Sequence, residues 1–262
     1  AFPSPTTSGP PSGWVEGYSV SYKTYNAKLG KWVDNIAYWW PGLGWVLVPF
    51  GPPAESRLTY WKSSMVRNDT NRAIVQSFMN TTDGALTLKF TFSFPKHQAY
   101  VELRTDIYAK KNVRDVLYKR IVDWDVYKIG TYQDMKNEWT SGPNFAYARE
   151  STPGSVMGAN GIMSVTGYAE TTKEQLHSLP VYVDLYAWDD LKKREPGWLY
   201  PSYTVDLPQD MIQSPAGWIS ETAYRDYCSA IYYELDNMAK GASRTVYTVY
   251  QAAFDGNPYE IG

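Results

Sequence analysis

The sequence predicts an all-β protein, an antiparallel β-sandwich of the jelly-roll or immunoglobulin-like kind, with long loop insertions and little helix. Residues 85–94 alternate strictly between apolar and polar side chains, which is typical of a strand with one buried face. Aromatic residues make up 16% of the chain and favour strands, while 19 Gly and 17 Pro fit many tight turns. No alternation of strands with helices is visible, which disfavours the α/β enzyme folds.

The chain of 262 residues is predicted to form a flexible N-terminal arm over residues 1–13 and a single β-sandwich domain over residues 14–262. The Pro-, Ser-, Thr- and Gly-rich opening is typical of an exported protein, so we expect an extracellular or cell-surface location. No apolar run approaches the about 18 residues of a membrane-spanning helix, so no membrane span is expected. The formal net charge of −2 argues against nucleic acid as a partner.

The first strand signals follow the arm. Tyr18, Val20 and Tyr22 alternate with Ser and Lys, which predicts a strand with an apolar face. A turn is predicted over residues 26–30. The aromatic segment 32–48 is interrupted by Gly and Pro, which predicts two short strands.

The middle and end of the chain contain further strand patterns. An antiparallel meander is predicted over residues 57–126, with a hairpin turn at the Asp-Gly dipeptide before residue 85. Residues 127–161 and 189–226 look irregular, and 221–227 suggest a helical turn. Other strands are predicted over residues 162–168, 181–186, 230–235 and 244–254.

Asp123 and Asp125 flank Trp124 within a predicted strand, so the two carboxylates share one face. Three interpretations are open. The pair could form a structural network with backbone amides or Arg120, it could bind calcium, or it could be a carboxylate couple for glycoside hydrolysis. The third is disfavoured because catalytic carboxylates flank the sugar from opposite sides. The structural network is the favoured interpretation, calcium is the candidate ion if the pair binds a metal, and no other cofactor is expected.

Signatures of other chemistries are missing, so we expect no enzymatic activity. The histidines His97 and His177 lack the spacing of a zinc site, and no Gly-x-Ser-x-Gly elbow is present. The acidic pair Asp189-Asp190 suits a solvated turn or a second calcium site. The lone Cys228 suits a buried thiol or a bridge to another chain.

The sequence has two features that relate to glycans, a pair of glycosylation sequons and an abundance of aromatic residues. Asn68 and Asn80 each begin an Asn-x-Thr sequon, which predicts a glycoprotein with glycans at strand ends. The abundant aromatics are predicted to fill a core or a subunit interface, with a sugar-binding platform as the alternative. The tryptophans concerned are Trp39, Trp40, Trp45, Trp188, Trp198 and Trp218.

Two stretches carry a resemblance to known proteins. Residues 115–126 read Asp-Val-Leu-Tyr-Lys-Arg-Ile-Val-Asp-Trp-Asp-Val, and residues 232–250 contain a Lys-Gly-x-Ser turn between two strands. Both resemble secreted and surface-displayed β-sandwich proteins of bacteria and archaea that have an Arg-x-x-Asp-Trp-Asp strand motif. The resemblance implies display at the cell surface, as in an archaeal extracellular filament or surface-assembly subunit, and it assigns no catalytic residue.

The leading functional prediction is a structural subunit of an extracellular assembly: a filament, tube or surface layer formed as a homopolymer. Subunits would join by donor-strand complementation, with Trp14, Tyr18, Val20 and Tyr22 entering a neighbour. The alternative is that this segment is the chain's own first strand. The competing functions are a carbohydrate-binding or glycoside-active secreted protein, and a surface adhesin that stays monomeric.

Overall fold

The computed structural model describes residues 15–39, 58–96, 98, 100–123, 137–142, 145–150, 161–171, 178–179, 181–187, 219–223 and 227–254. Within these ranges it describes the side chains of residues 18–35, 37, 62–96, 98, 100–120 and 231–250. This part of the chain contains strands and no helix. The strands are β1 (Val15–Asn26), β2 (Lys31–Trp39), β3 (Leu58–Asn68), β4 (Arg72–Thr81), β5 (Leu86–Pro95), β6 (Tyr100–Ala109), β7 (Val113–Asp123), β8 (Asn137–Gly142), β9 (Phe145–Glu150), β10 (Gly161–Thr171), β11 (Ser178–Leu179), β12 (Val181–Ala187), β13 (Ile219–Ala223), β14 (Tyr227–Met238) and β15 (Ser243–Phe254).

The strands form two antiparallel sheets. The five-stranded sheet has the order β12-β14-β7-β1-β2. The larger, ten-stranded sheet runs β13-β8-β9-β10-β15-β6-β5-β4-β3, with β11 paired to β10. The prediction of an all-β sandwich is confirmed.

The core lies between the two sheets and is built from alternating side chains. Tyr18 of the five-stranded sheet packs against Phe90 of the larger sheet, with ring centroids 4.8 Å apart. Leu86, Leu88 and Phe90 face the core as the alternation of β5 predicts, and each is at most 1% exposed. Other fully covered core residues are Val20, Tyr22, Leu103, Ile107, Tyr118, Tyr233, Leu235 and Val246.

Three predicted turns are confirmed by their backbone geometry. After β1, the side-chain oxygen of Asn26 accepts hydrogen bonds from the amides of Lys28 and Leu29. Gly84 and Gly241 have φ values of +67° and +87° in the turns after β4 and β14. Glycine adopts these left-handed values with little strain, so these two positions let the chain reverse between neighbouring strands.

The meander prediction is correct for β3 to β6, which pair in sequence order, and wrong for β7. Instead of pairing with β6, β7 crosses to the other sheet and lies between β1 and β14. The side-chain pattern of a strand sets which residues share a face and not which strand lies beside it, so the pattern alone did not identify the neighbour. The irregular regions also contain strands, namely β8, β9 and β13, and β13 replaces the expected start of a helical turn.

Candidate functional site

The four residues predicted to mediate assembly belong to the N-terminal strand or directly precede it. Tyr18, Val20 and Tyr22 lie on β1, face the larger sheet, and are at most 6% exposed. Trp14 lies outside the described residues. β1 pairs with β2 on one side and with β7 on the other, so within this chain it is the chain's own strand. Its donation to a neighbouring subunit stays a prediction.

Beside this strand, a buried arginine is surrounded by tyrosines. Arg120 lies on β7 directly opposite Tyr18 and is 2% exposed. Its Nε donates to the Tyr250 hydroxyl at 2.8 Å, and its Nη1 donates to the Tyr118 hydroxyl at 2.6 Å. The guanidinium carbon is also 5.2 Å from the ring centroid of Tyr18 and 5.8 Å from that of Tyr250. Since Tyr250 belongs to β15, Arg120 ties the two sheets together.

Other tyrosines of the five-stranded sheet extend across the core and end on polar groups of the larger sheet. The Tyr18 hydroxyl donates to the sulfur of Met79 at 2.7 Å, and that of Tyr22 donates to Asp83 at 2.9 Å. The Tyr233 hydroxyl lies 2.7 Å from that of Thr248. A tyrosine contributes apolar area along its ring and a hydrogen bond at its tip, which explains how so many tyrosines can be buried.

The arginine–tyrosine cluster is suited to holding the sheets together. A guanidinium remains protonated at any physiological pH, so Arg120 is suited to donating hydrogen bonds and not to releasing a proton. From the sequence, Arg120 was expected only as a possible partner of the two aspartates, and the cluster was not predicted. A usable signal was the i, i+2 spacing of Tyr118 and Arg120 on one strand face, but it did not reveal Tyr250, which is distant in sequence.

The opposite face of the five-stranded sheet is buried as well. Ser19, Lys119 and Tyr232 lie side by side across β1, β7 and β14, and each is at most 2% exposed. The Lys119 ammonium is 4.5 Å from the ring centroid of Tyr232, a cation–π contact that offsets part of its desolvation. The neighbours Lys119 and Arg120 therefore place two positive charges on opposite faces of one strand.

A second polar group lies on the outer face of the larger sheet. Asp106 is 3% exposed and accepts hydrogen bonds from Arg104 Nε at 2.8 Å and from the Thr245 hydroxyl at 2.9 Å. Burial alone would lower the pKa of Arg104, but the hydrogen bond and charge of Asp106 outweigh it and raise that pKa. Burial raises the pKa of the nearby Tyr108 hydroxyl, and the charge of Asp106 adds to the rise.

The two sequon asparagines have different surroundings. Asn68 is exposed at the end of β3, where its oxygen accepts a hydrogen bond from Lys96 at 3.1 Å. Asn80 is half-buried within β4, and its oxygen accepts a 2.7 Å hydrogen bond from Thr87 on the neighbouring strand. The structure leaves more room for a glycan at Asn68, although glycosylation itself stays a prediction.

The predicted calcium ligands lie at the limit of the described chain. The backbone of Asp123 ends β7, opposite Val15 and Cys228, while its side chain and all of Asp125 lie outside the described part. His97, His177, Asp189 and Asp190 also lie outside it. Among the described residues, no group of three or more His, Cys, Asp or Glu side chains could hold a metal. The calcium prediction therefore remains a prediction.

Comparison with known proteins identifies no family. No family model matches the chain, and no curated protein does. The crystal structure of the alpha-galactosidase from Lactobacillus brevis aligns with a TM-score of 0.40 and 9% identity. The alignment covers 90% of this chain and 29% of that enzyme, so this chain spans less than a third of its length. A likeness at this level carries no argument about function. In the described residues, no helix is long and apolar enough to cross a membrane.

Proposed function

We propose that this chain is a structural subunit of an extracellular assembly, a filament, tube or surface layer, whose copies join by exchanging the N-terminal part of the sandwich. The observation that carries this proposal is the position of β1. It is the first described strand, yet it lies inside the five-stranded sheet, between β7 and β2. Removing it would expose the edge of β7 and the core side chains behind it, a ready acceptor for a strand from another copy.

The contacts of β1 across the sandwich explain why such an acceptor would bind tightly. Tyr18 and Tyr22 each place a hydroxyl on the larger sheet, and Val20 is fully covered between them. Burying one large apolar side chain contributes about 1.5–3 kcal/mol. An exchanged segment would recover the same contacts in the neighbouring subunit, so exchange costs few native contacts.

The exchanged unit in this proposal is the hairpin of β1 and β2 rather than β1 alone. The turn between the strands is tight, and the Leu29 amide donates to the Asn26 carbonyl at 3.2 Å. The strands pair continuously from Tyr18 opposite Trp39 to Asn26 opposite Lys31, and with this short connection the proposal has β1 and β2 move together. The connection to β3, residues 40–57, could span up to about 60 Å when fully extended, which is enough to reach a neighbour.

Disulfide trapping tests the proposal because β1 has a partner on each side. Lys23 lies directly opposite Arg114 of β7, outside the hairpin, and opposite Asp34 of β2, inside it. Opposed residues of antiparallel strands lie within the Cα separation that a disulfide needs. The two pairs, Lys23→Cys with Arg114→Cys and Lys23→Cys with Asp34→Cys, would be made in a Cys228→Ser background, assembled while reduced, and then oxidised.

Exchange predicts different gel patterns for the two pairs. The pair with Arg114→Cys should give a ladder of linked chains on a non-reducing gel, while the pair with Asp34→Cys should remain single chains. Assembled particles that contain only single chains for both pairs would refute the hairpin exchange. Particles that never form, for the wild type as well as the variants, would refute the assembly role itself.

A further inference from the structure

The outer face of the larger sheet presents a row of polar and aromatic side chains. On β6, Arg104, Asp106 and Tyr108 follow at intervals of two residues and share this face. Tyr247 of β15 lies directly opposite Arg104, and Thr245 lies opposite Asp106. On the other side of β6, Thr91 pairs with Arg104 and Lys89 with Asp106, which extends the row across three strands.

Arg104 is fixed in the centre of this face. Asp106 is 3% exposed, and its carboxylate accepts hydrogen bonds from Arg104 Nε at 2.8 Å and from the Thr245 hydroxyl. The guanidinium carbon is 5.9 Å from the ring centroid of Tyr247. The side chain is nevertheless 46% exposed, and its two Nη groups make no hydrogen bond to the described residues. A buried carboxylate therefore orients a guanidinium whose Nη donors are available to a ligand.

Two tyrosines share this face with Arg104, Tyr108 further along β6 and Tyr247 on the neighbouring β15. Tyr108 is 37% exposed and lies four residues along β6 from Arg104, about 13 Å at a rise of about 3.3 Å per residue. With Tyr247 one strand away, the backbone positions of the two tyrosines are on the order of 14 Å apart. This distance suits an extended ligand of several rings rather than a single small molecule. Gln76 adds an amide, which donates to Thr91 at 3.3 Å beside the guanidinium.

We propose that this face binds a neutral oligosaccharide, with pyranose rings against Tyr108 and Tyr247 and sugar hydroxyls on Arg104. Aromatic rings offer flat apolar surfaces to the C–H faces of sugars, and fixed polar groups select the hydroxyl pattern.

The charge balance favours a neutral ligand. On this face, Lys89 and Arg104 of β5 and β6 are balanced by Glu102 and Asp106. A polyanion such as nucleic acid requires an excess of positive charge, which these two strands do not provide. Acidic sugars would gain no net attraction here, because the cations of Lys89 and Arg104 are offset by Glu102 and Asp106. The inference concerns a face remote from the exchanged hairpin, so it goes beyond the proposed function and does not depend on it.

A glycan-binding experiment with matched variants tests this site. The full chain would be titrated against immobilised neutral oligosaccharides (glucan, mannan, xylan and galactan fragments) and against uronic-acid oligosaccharides. We expect binding to at least one neutral class. Tyr108→Ala and Arg104→Lys should each weaken it by about fivefold to tenfold, the loss of one ring contact or of an oriented fork of donors.

Two further variants separate ligand contacts from effects on folding. Tyr108→Phe keeps the ring and should bind nearly as well as the wild type. Tyr25→Ala removes a tyrosine that is 56% exposed on the other sheet and should leave binding unchanged. The inference is overturned if no neutral oligosaccharide binds, if only the uronic-acid oligosaccharides bind, or if Tyr108→Ala and Arg104→Lys bind as well as the wild type.

Discussion

Removing the Tyr118 hydroxyl should destabilise the fold by about 2 kcal/mol, because this oxygen accepts a hydrogen bond from a buried cation. Tyr118→Phe keeps the ring and its packing on Tyr233, where the centroids are 5.6 Å apart, and deletes the acceptor together with its 3.4 Å contact to the Thr105 hydroxyl. Arg120 is 2% exposed, so water cannot readily replace the lost partner. Hydrogen bonds to charged groups contribute about 1.5–3 kcal/mol, and in a chain of this size about 2 kcal/mol lowers the melting temperature by about 4–8 °C.

A double-mutant cycle with Arg120→Met measures how much of the Tyr118 hydroxyl's contribution to stability depends on the Arg120 charge. Methionine removes the guanidinium and fills part of its volume, but it takes this donor from the Tyr118 and Tyr250 hydroxyls, so the variant alone should be destabilising. In the Arg120→Met background, Tyr118→Phe should cost only about 0.5–1 kcal/mol, because the hydroxyl then bonds no charged group. The expected coupling between the two positions is therefore at least about 1 kcal/mol.

Urea unfolding at pH 7, followed by tryptophan fluorescence, measures all four members of the cycle. Tyr25→Phe is the control, because this exposed hydroxyl should change the free energy of unfolding by less than about 0.5 kcal/mol. Equal costs of Tyr118→Phe in the presence and absence of Arg120 would refute the argument that the buried cation makes the hydroxyl important.

Three further predictions concern the surface and the turns. Gly241→Ala should destabilise by about 1 kcal/mol in urea unfolding, because its φ of +87° is strained for alanine although no atom lies within 4 Å of the new Cβ. If the chain is glycosylated, glycopeptide mass spectrometry should find the glycan at Asn68 rather than at half-buried Asn80, and the reverse occupancy would contradict the argument from exposure. The side-chain hydrogen bond from Arg67, with the amides of two following residues, lowers the pKa of Asp69 to about 2 from 3.8. Because this pKa is lower in the folded state, ionised Asp69 stabilises the fold above its unfolded pKa of 3.8, and the contribution is lost as the pH falls through about 2. Asp69→Asn should therefore make the free energy of unfolding fall less steeply between about pH 4 and 2.

The sequence predicted the fold class because the alternation of β5 and of the strands at both ends of the chain is strong. Residues 85–94 can bury five apolar side chains only on one face of a sheet, and the structure has that face in the core. The turns at Gly84 and Gly241 were also predictable, because glycine marks positions with left-handed backbone.

Sheet pairing and the polar clusters were less accessible to sequence reasoning. The alternation of β7 is the same whether β7 follows β6 in one sheet or crosses to the other, so its neighbours could not be read from it. One partner of Arg120 and one of Asp106, Tyr250 and Thr245, come from β15, more than a hundred residues further along the chain, and no local spacing relates them. Strands β8 and β9 were missed because their alternation is short and mixed with polar residues.

Negative-stain electron microscopy of the native, cell-derived protein, before and after addition of a calcium chelator, is the decisive test of the proposed assembly. We expect ordered filaments, tubes or lattices before chelation, and their loss on chelation would add calcium as a ligand of the assembly. Discrete single subunits under both conditions would contradict the assembly role.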